Sequence, residues 1–250
     1  IRNQLIVDEG DPFNKILYNK SINQIRSLRI FKEVKSSIKE GSNENLKIVD
    51  IIVEEQPTGE ISLAAGYGTN GVTTGGGINE RNFMGKGIDL NTSFQISEET
   101  LVGKIEYSRP NFAYTDNTLF TSVRAINDDF LSLYGYESKE IGFSLGTRFE
   151  QYENLFFSPE IEMSIEDLKT TSAASSSLKK QAGNYEDIYF NYGLDYDLRD
   201  ATYKPTAGSK TSFYQQLPII SGNYEISNTL VQTHYKKLDT ENEFFKKKKK

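Results

Sequence analysis

The sequence contains no cysteine and a single histidine, His234. Without thiols the chain cannot form disulfide bonds, Cys/His metal sites or Cys–His nucleophile pairs. A Ser–His–Asp hydrolase built on His234 is conceivable, but no serine occupies the G-x-S-x-G turn that exposes such a nucleophile. We therefore interpret His234 as an ordinary strand residue, and we expect no enzyme activity and no cofactor.

Long apolar runs and a strong positive charge are also missing. No segment approaches the roughly 20 consecutive apolar residues of a membrane helix, and the net charge is -6. Outside Lys246 to Lys250 there is no basic stripe, which argues against a nucleic-acid partner. The lysine run could bind lipid headgroups, but we interpret it as the end of a truncated sequence.

The glycines between Gly66 and Gly77 do not have the context of a phosphate-binding loop. Neither a Gly-Lys-Ser/Thr sequence nor a helix follows them. We interpret them as part of a hairpin with a two-residue turn at Asn70-Gly71.

The chain does contain a repeated alternation of apolar and polar residues. From Ile88 to Ile96 it reads I-D-L-N-T-S-F-Q-I, so a strand here would have one apolar and one polar face. Similar alternation covers residues 141–150, 155–166 and 188–199. Strands of soluble β-sandwiches usually run about 5–6 residues, whereas strands that cross lipid need about 9–11. The lengths therefore predict an antiparallel transmembrane β-barrel, of which we count nine or ten strands.

The first sixty residues follow a different pattern. Apolar residues at helical spacing predict a helix over Asn14 to Ile30. Two strands should follow, Phe31 to Lys39 and Leu46 to Glu54, joined by a turn at Glu40-Gly41-Ser42-Asn43. We interpret Ile1 to Val7 as the end of a helix, so that the chain begins inside a small α+β domain.

These patterns divide the chain into three parts. Residues 1–57 form the partial α+β domain and residues 58–245 the barrel strands, with turn-forming residues Gln56-Pro57-Thr58-Gly59 at the boundary. Residues 246–250 are the lysine run.

Several motifs carry a resemblance to a known family. L-R-I-F-K-E-V at 28–34 and E-E-Q-P-T-G at 54–59 lie in the α+β part. A-G-Y-G-T-N-G at 65–71, N-E-R-N-F-M-G-K-G at 79–87, Y-S-R-P-N-F at 107–112 and D-L-R-D-A-T-Y-K-P-T-A-G-S at 197–209 follow. In this order they resemble the last POTRA domain and the first barrel strands of the BamA family of outer-membrane protein assembly factors, within the bacterial surface antigen family.

The resemblance covers nearly all of residues 1–240. It implies a periplasmic arm of POTRA domains and a barrel of sixteen strands. The conserved loop motif that the family has later in its barrel is absent, so we interpret the sequence as a fragment truncated at both ends.

Strand parity predicts an orientation. If the POTRA part is periplasmic, the first barrel strand runs outward, and even-to-odd links should be the short periplasmic ones. These links are Phe83 to Lys86, Pro110 to Asn117, Tyr152 to Asn154 and Ala201 to Gly208. The two longest links, Asp128 to Ser138 and Asp167 to Asp187, are predicted to be extracellular. The second contains Thr170 to Ser177, which we expect to be a flexible polar loop.

Residues near the predicted periplasmic strand ends fit a membrane interface. Tyr107, Phe112, Tyr114 and Tyr203 suit an aromatic girdle, and Arg81 and Lys86 suit lipid headgroups.

Five acidic residues share the polar faces of neighbouring predicted strands: Glu160, Glu162, Glu166, Asp195 and Asp197. They could form an acid/base pair or a cation site. Because barrel interiors are polar by construction, we favour a hydrated lumen wall.

The resemblance implies a protein that folds and inserts β-barrel proteins into the outer membrane of a Gram-negative bacterium. Its partners would be unfolded outer-membrane proteins, periplasmic lipoproteins of the assembly complex and outer-membrane lipid. In the family, the acidic residue of a Glu-Gly pair before the second helix lies on a lipoprotein-docking surface, and Glu9 matches it here.

The first barrel strand is the expected template edge. An incoming strand must pair its N–H and C=O groups before it meets hydrocarbon, where each unsatisfied group costs several kcal/mol. An open edge allows this pairing by β-augmentation. Small residues in the strand give little cross-strand packing, which suits a seam that opens. The strand comprises Glu60, Ile61, Ser62, Leu63, Ala64, Ala65, Gly66, Tyr67 and Gly68, and we expect it to extend to Thr69.

The main alternative is a polypeptide-translocating pore of the two-partner secretion or plastid-import type, since such relatives also join POTRA domains to a barrel. A passive solute porin is less favoured because porins carry no POTRA arm.

Overall fold

The computed structural model describes residues 1–7, 9–42, 46–68, 71–202, 204–222 and 224–237. The lysine run at 246–250, Thr69, Asn70 and Tyr203 lie outside these residues, and so does the Asn43 end of the first predicted turn. Predictions made for these residues stay predictions.

A helix and a two-stranded sheet form the N-terminal unit. Helix α1 (Lys15–Ser27) begins after Asn14, whose side-chain oxygen accepts a hydrogen bond of 2.8 Å from the Ile16 amide. Such an N-cap satisfies an amide that has no partner within the helix. The predicted helix was three residues too long at its end, because Arg29 takes a left-handed φ of 57° that ends it.

The two strands are β1 (Phe31–Glu40) and β2 (Lys47–Glu55), paired antiparallel as predicted. Ile22 and Ile25 of α1 pack against Val34 of β1 in a small core. The interpretation of Ile1 to Val7 as the end of a helix was wrong. Only Arg2–Gln4 form a 3-10 turn, and Leu5 is extended.

A ten-stranded antiparallel sheet follows after residues 56–58. Each strand pairs with its neighbours in chain order, from β3 at one edge to β12 at the other. The strands are β3 (Gly59–Gly68), β4 (Gly71–Phe83), β5 (Ile88–Ile96), β6 (Thr100–Arg109), β7 (Thr118–Phe130), β8 (Tyr136–Tyr152), β9 (Leu155–Thr170), β10 (Gly183–Asp197), β11 (Ala207–Ile220) and β12 (Ser227–Lys236). The count agrees with the prediction. Among the described residues β3 and β12 do not pair with each other, so the sheet is open.

The lengths of the links between strands differ in part from the prediction that periplasmic links are short and extracellular links long. The predicted link at 128–138 is only five residues long, 131–135, because β7 and β8 extend further than their alternation showed. Links 110–117 and 198–206, on the predicted periplasmic end, are longer than that. Link 171–182 is still the longest, and it contains a short helix, α2 (Ser176–Gln181).

No helix in the described part of the chain is both long and apolar enough to span a membrane.

Candidate functional site

The ten-stranded sheet has one apolar and one polar face. Ile141, Phe143, Leu145, Met163 and Ile165 lie on the apolar face and are 44–64% exposed. Their neighbours on the other face are polar and mostly covered: Ser144 is 4% exposed, Asp195 2% and Ser212 6%. A sheet that curls around its polar face covers that face and leaves the apolar side open. This is the division expected of a sheet between lipid and water.

Strand β3 forms an open edge. Within the described residues it pairs only with β4, in register from Gly59 opposite Glu80 to Gly68 opposite Gly71. All ten of its residues are exposed, and Leu63 and Tyr67 reach 82% and 86%. A side chain built at Gly66 or Gly68 would touch nothing within 4 Å. The strand predicted as the template is therefore held by its main-chain ladder and by few side-chain contacts.

The partner strand β4 has three consecutive glycines opposite the middle of β3. Gly75, Gly76 and Gly77 pair with Ala64, Leu63 and Ser62. A Cβ at Gly76 would lie 2.8 Å from the Ser62 carbonyl oxygen, and one at Gly77 would lie 2.7 Å from that of Thr92. Real Cβ atoms do not approach backbone oxygen this closely, so only glycine fits. Glycine inside a strand also weakens it, and the β3–β4 seam is thereby weak on both sides.

The predicted carboxylates do not contact one another; most have a cationic or hydroxyl partner. Glu162 accepts a bond of 2.5 Å from Arg124 Nη1, and the same guanidinium donates to Glu140 at 2.6 Å. Asp195 accepts hydrogen bonds from Arg148 and from Ser212 Oγ (2.5 Å), and lies 3.1 Å from Lys210 Nζ.

Two further carboxylates are satisfied in the same way. Glu166 accepts from Ser138 at 2.7 Å, and Asp197 from Arg199 at 2.7 Å. Among the described residues no group of three potential ligands could hold a metal ion. Each of these four carboxylates thus takes part in an ion pair or a hydrogen bond on the polar face, and the hydrated lumen wall stays a prediction.

Three glycines on the polar face make room for large side chains of the adjacent strand. The ring of Phe120 occupies the place of a side chain at Gly146. A Cβ at Gly142 would lie 2.9 Å from Arg124 Cζ, and one at Gly193 would lie 2.9 Å from Tyr214 Cε1. We call these three pairs the glycine cradles. Sequence reasoning missed them, although the signal was there as isolated glycines at polar-face positions inside alternating strands.

The family model for the Omp85 superfamily domain matches residues 82–246, well over half of the chain. The chain belongs to the Omp85 superfamily.

Solved structures and a curated relative agree with this assignment. A crystal structure of BamA from Haemophilus ducreyi lacking POTRA domains 1–3 is similar at a TM-score of 0.69 and 19% identity, covering 96% of this chain and 49% of that one. CdiB from Acinetobacter baumannii gives a TM-score of 0.56 at 13% identity, covering 93% and 45%. These likenesses show the fold. A Treponema pallidum (strain Nichols) protein named "Putative outer membrane protein assembly factor" is 25% identical over 115 residues, 43% of this chain and 14% of that protein. This Omp85 chain therefore spans half or less of the length of each of these three proteins.

The N-terminal unit of this Omp85 chain contacts one end of the sheet. Gln4 Nε2 donates a hydrogen bond of 2.7 Å to Asn111 Oδ1 in the link between β6 and β7. Glu9, the predicted docking residue, is exposed and forms a 3.2 Å ion pair with Arg2. Its accessible carboxylate agrees with a surface role, and the docking role itself stays a prediction.

The segment predicted as a flexible loop is instead folded. Thr170 ends β9, and Ser175 caps helix α2 by accepting a bond of 3.2 Å from the Leu178 amide. The Thr171 amide donates to the Gly135 carbonyl at 2.7 Å, and Ala174 is buried. The sequence did not reveal the cap, because serine is favoured both at helix N-caps and in turns.

The carboxylate of Asp200, outside the strands, bonds the end of the link 198–206. Asp200 accepts bonds from Thr206 Oγ1 (2.5 Å), the Thr206 amide (2.9 Å) and the Ala207 amide (3.1 Å). These bonds, with the Thr206 hydroxyl foremost, lower the pKa of Asp200 to about 2. The D-A-T-Y-K-P-T-A motif thus encodes a closed turn.

We expect this turn to survive mild acid. Because the pKa of Asp200 is lower in the folded chain than in the unfolded one, its stabilising effect is complete above about pH 4. The effect is lost as pH falls through about 2. NMR titration of the Asp200 carboxyl in the intact protein should show this midpoint. Thr206→Val should move it upward, and a midpoint near 4 in both proteins would contradict the assignment.

Proposed function

We propose that this Omp85 chain belongs to a factor that folds and inserts β-barrel proteins into the outer membrane, with β3 as the template edge. The observation that carries the proposal is that β3, the first strand of the sheet, carries small residues in its second half, Ala64, Ala65, Gly66 and Gly68, which give little cross-strand packing. Exposed, long edge strands are normally protected because they pair with other chains. Here the edge has neither a proline nor an inward-bent bulge to block pairing.

The chemistry of such a step is non-covalent. A client strand that enters hydrocarbon with free N–H and C=O groups loses several kcal/mol for each. Pairing with β3 satisfies one row of those groups before the client leaves water. The small residues of β3 give little cross-strand packing, so that its open edge can separate from another strand. No catalytic residue and no cofactor enter this mechanism.

The proposed partners follow from this placement. Unfolded outer-membrane proteins would supply the pairing strand, and outer-membrane lipid would cover the apolar face. We also propose that the N-terminal unit belongs to a POTRA domain and lies in the periplasm. There the exposed carboxylate of Glu9, which is 89% accessible, would contact a lipoprotein of the assembly complex.

A polypeptide-translocating pore is the second candidate. The observation that favours it is the ion-paired polar face, where Arg124 and Arg148 line a charged wall suited to a hydrated passage. In a pore the transported chain would touch this wall, whereas in an assembly factor the client would pair with β3.

Site-specific crosslinking separates the two candidates. The sequence has no cysteine, so a cysteine introduced into it is the only one in this segment. In the intact protein, Ser62→Cys should form a disulfide with a cysteine in the terminal strand of a stalled client. Moving the client cysteine by two residues along the strand should sharply change the yield, because strand pairing fixes the register.

Gln95→Cys is the matched control. Gln95 is also exposed and lies on the polar face, but it is on β5, whose two edges are already paired with β4 and β6. It should not crosslink. Crosslinking at Gln95 without any at Ser62 would favour the pore and contradict the template edge.

A further inference from the structure

The Glu160 carboxylate on the polar face has no hydrogen-bond or ion-pair partner among the described residues. Glu160 lies between Gly146 of β8 and Asn191 of β10. Because position 146 is glycine, the neighbouring strand offers no cation there. Among the described residues no cation and no hydrogen-bond donor contacts the Glu160 carboxylate, whereas Glu162 and Asp195 each have an arginine.

Glu160 lines a cavity of about 310 Å³. Its polar-face lining includes Phe120, Ser158, Glu160, Asn191, Tyr214 and Gln216. Two of these are aromatic rings that stand over glycine cradles, at Gly146 and Gly193. The others supply oxygen acceptors. The site therefore combines one negative charge, neutral acceptors and aromatic surface.

This combination matches an organic cation better than a metal ion. A metal ion would require several charged or imidazole ligands. Among the described residues, no cluster of three His, Cys, Asp or Glu side chains is suited to hold one. A guanidinium is planar, stacks on aromatic rings and carries five N–H donors that can bridge a carboxylate and amide oxygens. A lysine ammonium carries the same charge but has no planar group that could stack on the rings.

The same wall already shows this mode of binding. Arg148 Cζ stands 4.7 Å from the centroid of the Phe156 ring, while its Nη1 bonds Asp195 and Ser158 Oγ. Arg124 and Arg148 thus each pair with a carboxylate on the polar face, and Arg148 also stands over an aromatic ring. The Glu160 cavity has a carboxylate and aromatic rings, but no arginine of the described residues pairs with that carboxylate.

We propose that the Glu160 cavity binds the guanidinium group of an arginine in a polypeptide that lies along the polar face. The inference rests on the second candidate function, the polypeptide-translocating pore, and does not depend on the open edge of β3. A polypeptide would touch this wall in passing, and the cavity has room for a small probe.

The test uses the intact protein in lipid nanodiscs and Nα-acetyl-arginine amide as the probe. A trifluoroethyl label on Thr229→Cys, at the rim of the cavity, would report binding by ¹⁹F NMR. We expect a saturable shift with the arginine probe, a weaker one with Nα-acetyl-lysine amide and none with the uncharged citrulline analogue. Glu160→Gln should weaken arginine binding at least about tenfold.

Glu106→Gln is the control with the same loss of charge. Glu106 also lies on the polar face, but Lys104 already pairs with it at 2.5 Å. Its replacement should leave binding unchanged. Migration of both variants as the folded form on unheated gels checks that Glu160→Gln has not unfolded the sheet. No saturable shift, equal binding of citrulline, or equal binding by the Glu160→Gln protein would overturn the proposal.

Discussion

Replacing Ala64 or Ala65 by proline in the intact protein is expected to stop the assembly of other β-barrel proteins. Proline has no N–H group and cannot serve in a paired ladder. Ala64 and Ala65 lie opposite Gly75 and Thr74 in the middle of β3. Adjacent residues of a strand direct their N–H groups to opposite sides, so one proline weakens the pairing with β4 and the other removes a donor from the open edge. The measurement is the level of folded client barrels in cells that depend on the variant.

Ala65→Val is the control for this experiment. Valine keeps the N–H group, favours strands and lies at an exposed position, so assembly should continue. The two prolines need not be equal, but at least one should be lethal where assembly is essential. Normal folding of client barrels in both proline variants would exclude β3 as a template.

The second large effect is expected on the apolar face. Phe143→Arg, and likewise Phe190→Arg, should impair membrane insertion of the protein itself. An arginine on the lipid side costs about 2–4 kcal/mol near the midplane, and Phe143 is 44% exposed there. The measurement is the fraction of folded protein after refolding into bilayers.

Gln95→Arg provides the matched control for charge and size. Gln95 is exposed on the polar face, so an arginine there should remain in water. Ser144 is unsuitable although it neighbours Phe143, because it is 4% exposed and lies 2.8 Å from Ser122 Oγ. Equal losses from Phe143→Arg and Gln95→Arg would show that the two faces are wrongly assigned.

The strands could be predicted because alternation is a local property. Every second residue of a strand meets the same surroundings, so Ile88 to Ile96 was found with its exact ends. The first edge strand was also located to within a residue or two, since Pro57-Thr58-Gly59 marks its start. The family followed from motifs that lie mostly at strand ends.

The contacts between strands could not be predicted from the same pattern. Whether Glu162 meets Arg124 depends on the register of β7, β8 and β9, which brings together residues 38 positions apart. The same dependence left Glu160 without a cation. The lengths of β8 and β9 were underestimated because, beyond Ile141 and Ile165, charged residues occupy both faces and the alternation ends.

The glycine cradles tie positions on neighbouring strands together in evolution. A larger residue at 142 fits only if the side chain at 124 becomes smaller, and position 193 is linked in the same way to 214. A Cβ at 146 would also lie 2.8 Å from the Pro159 carbonyl oxygen, so that position stays glycine whatever stands at 120. Mutation along this wall should therefore proceed by compensating pairs. In a large set of related sequences, the two positions of such a pair should covary more strongly with each other than with the positions next to them in the chain. Such statistics alone would then recover which strands lie side by side, and in which register.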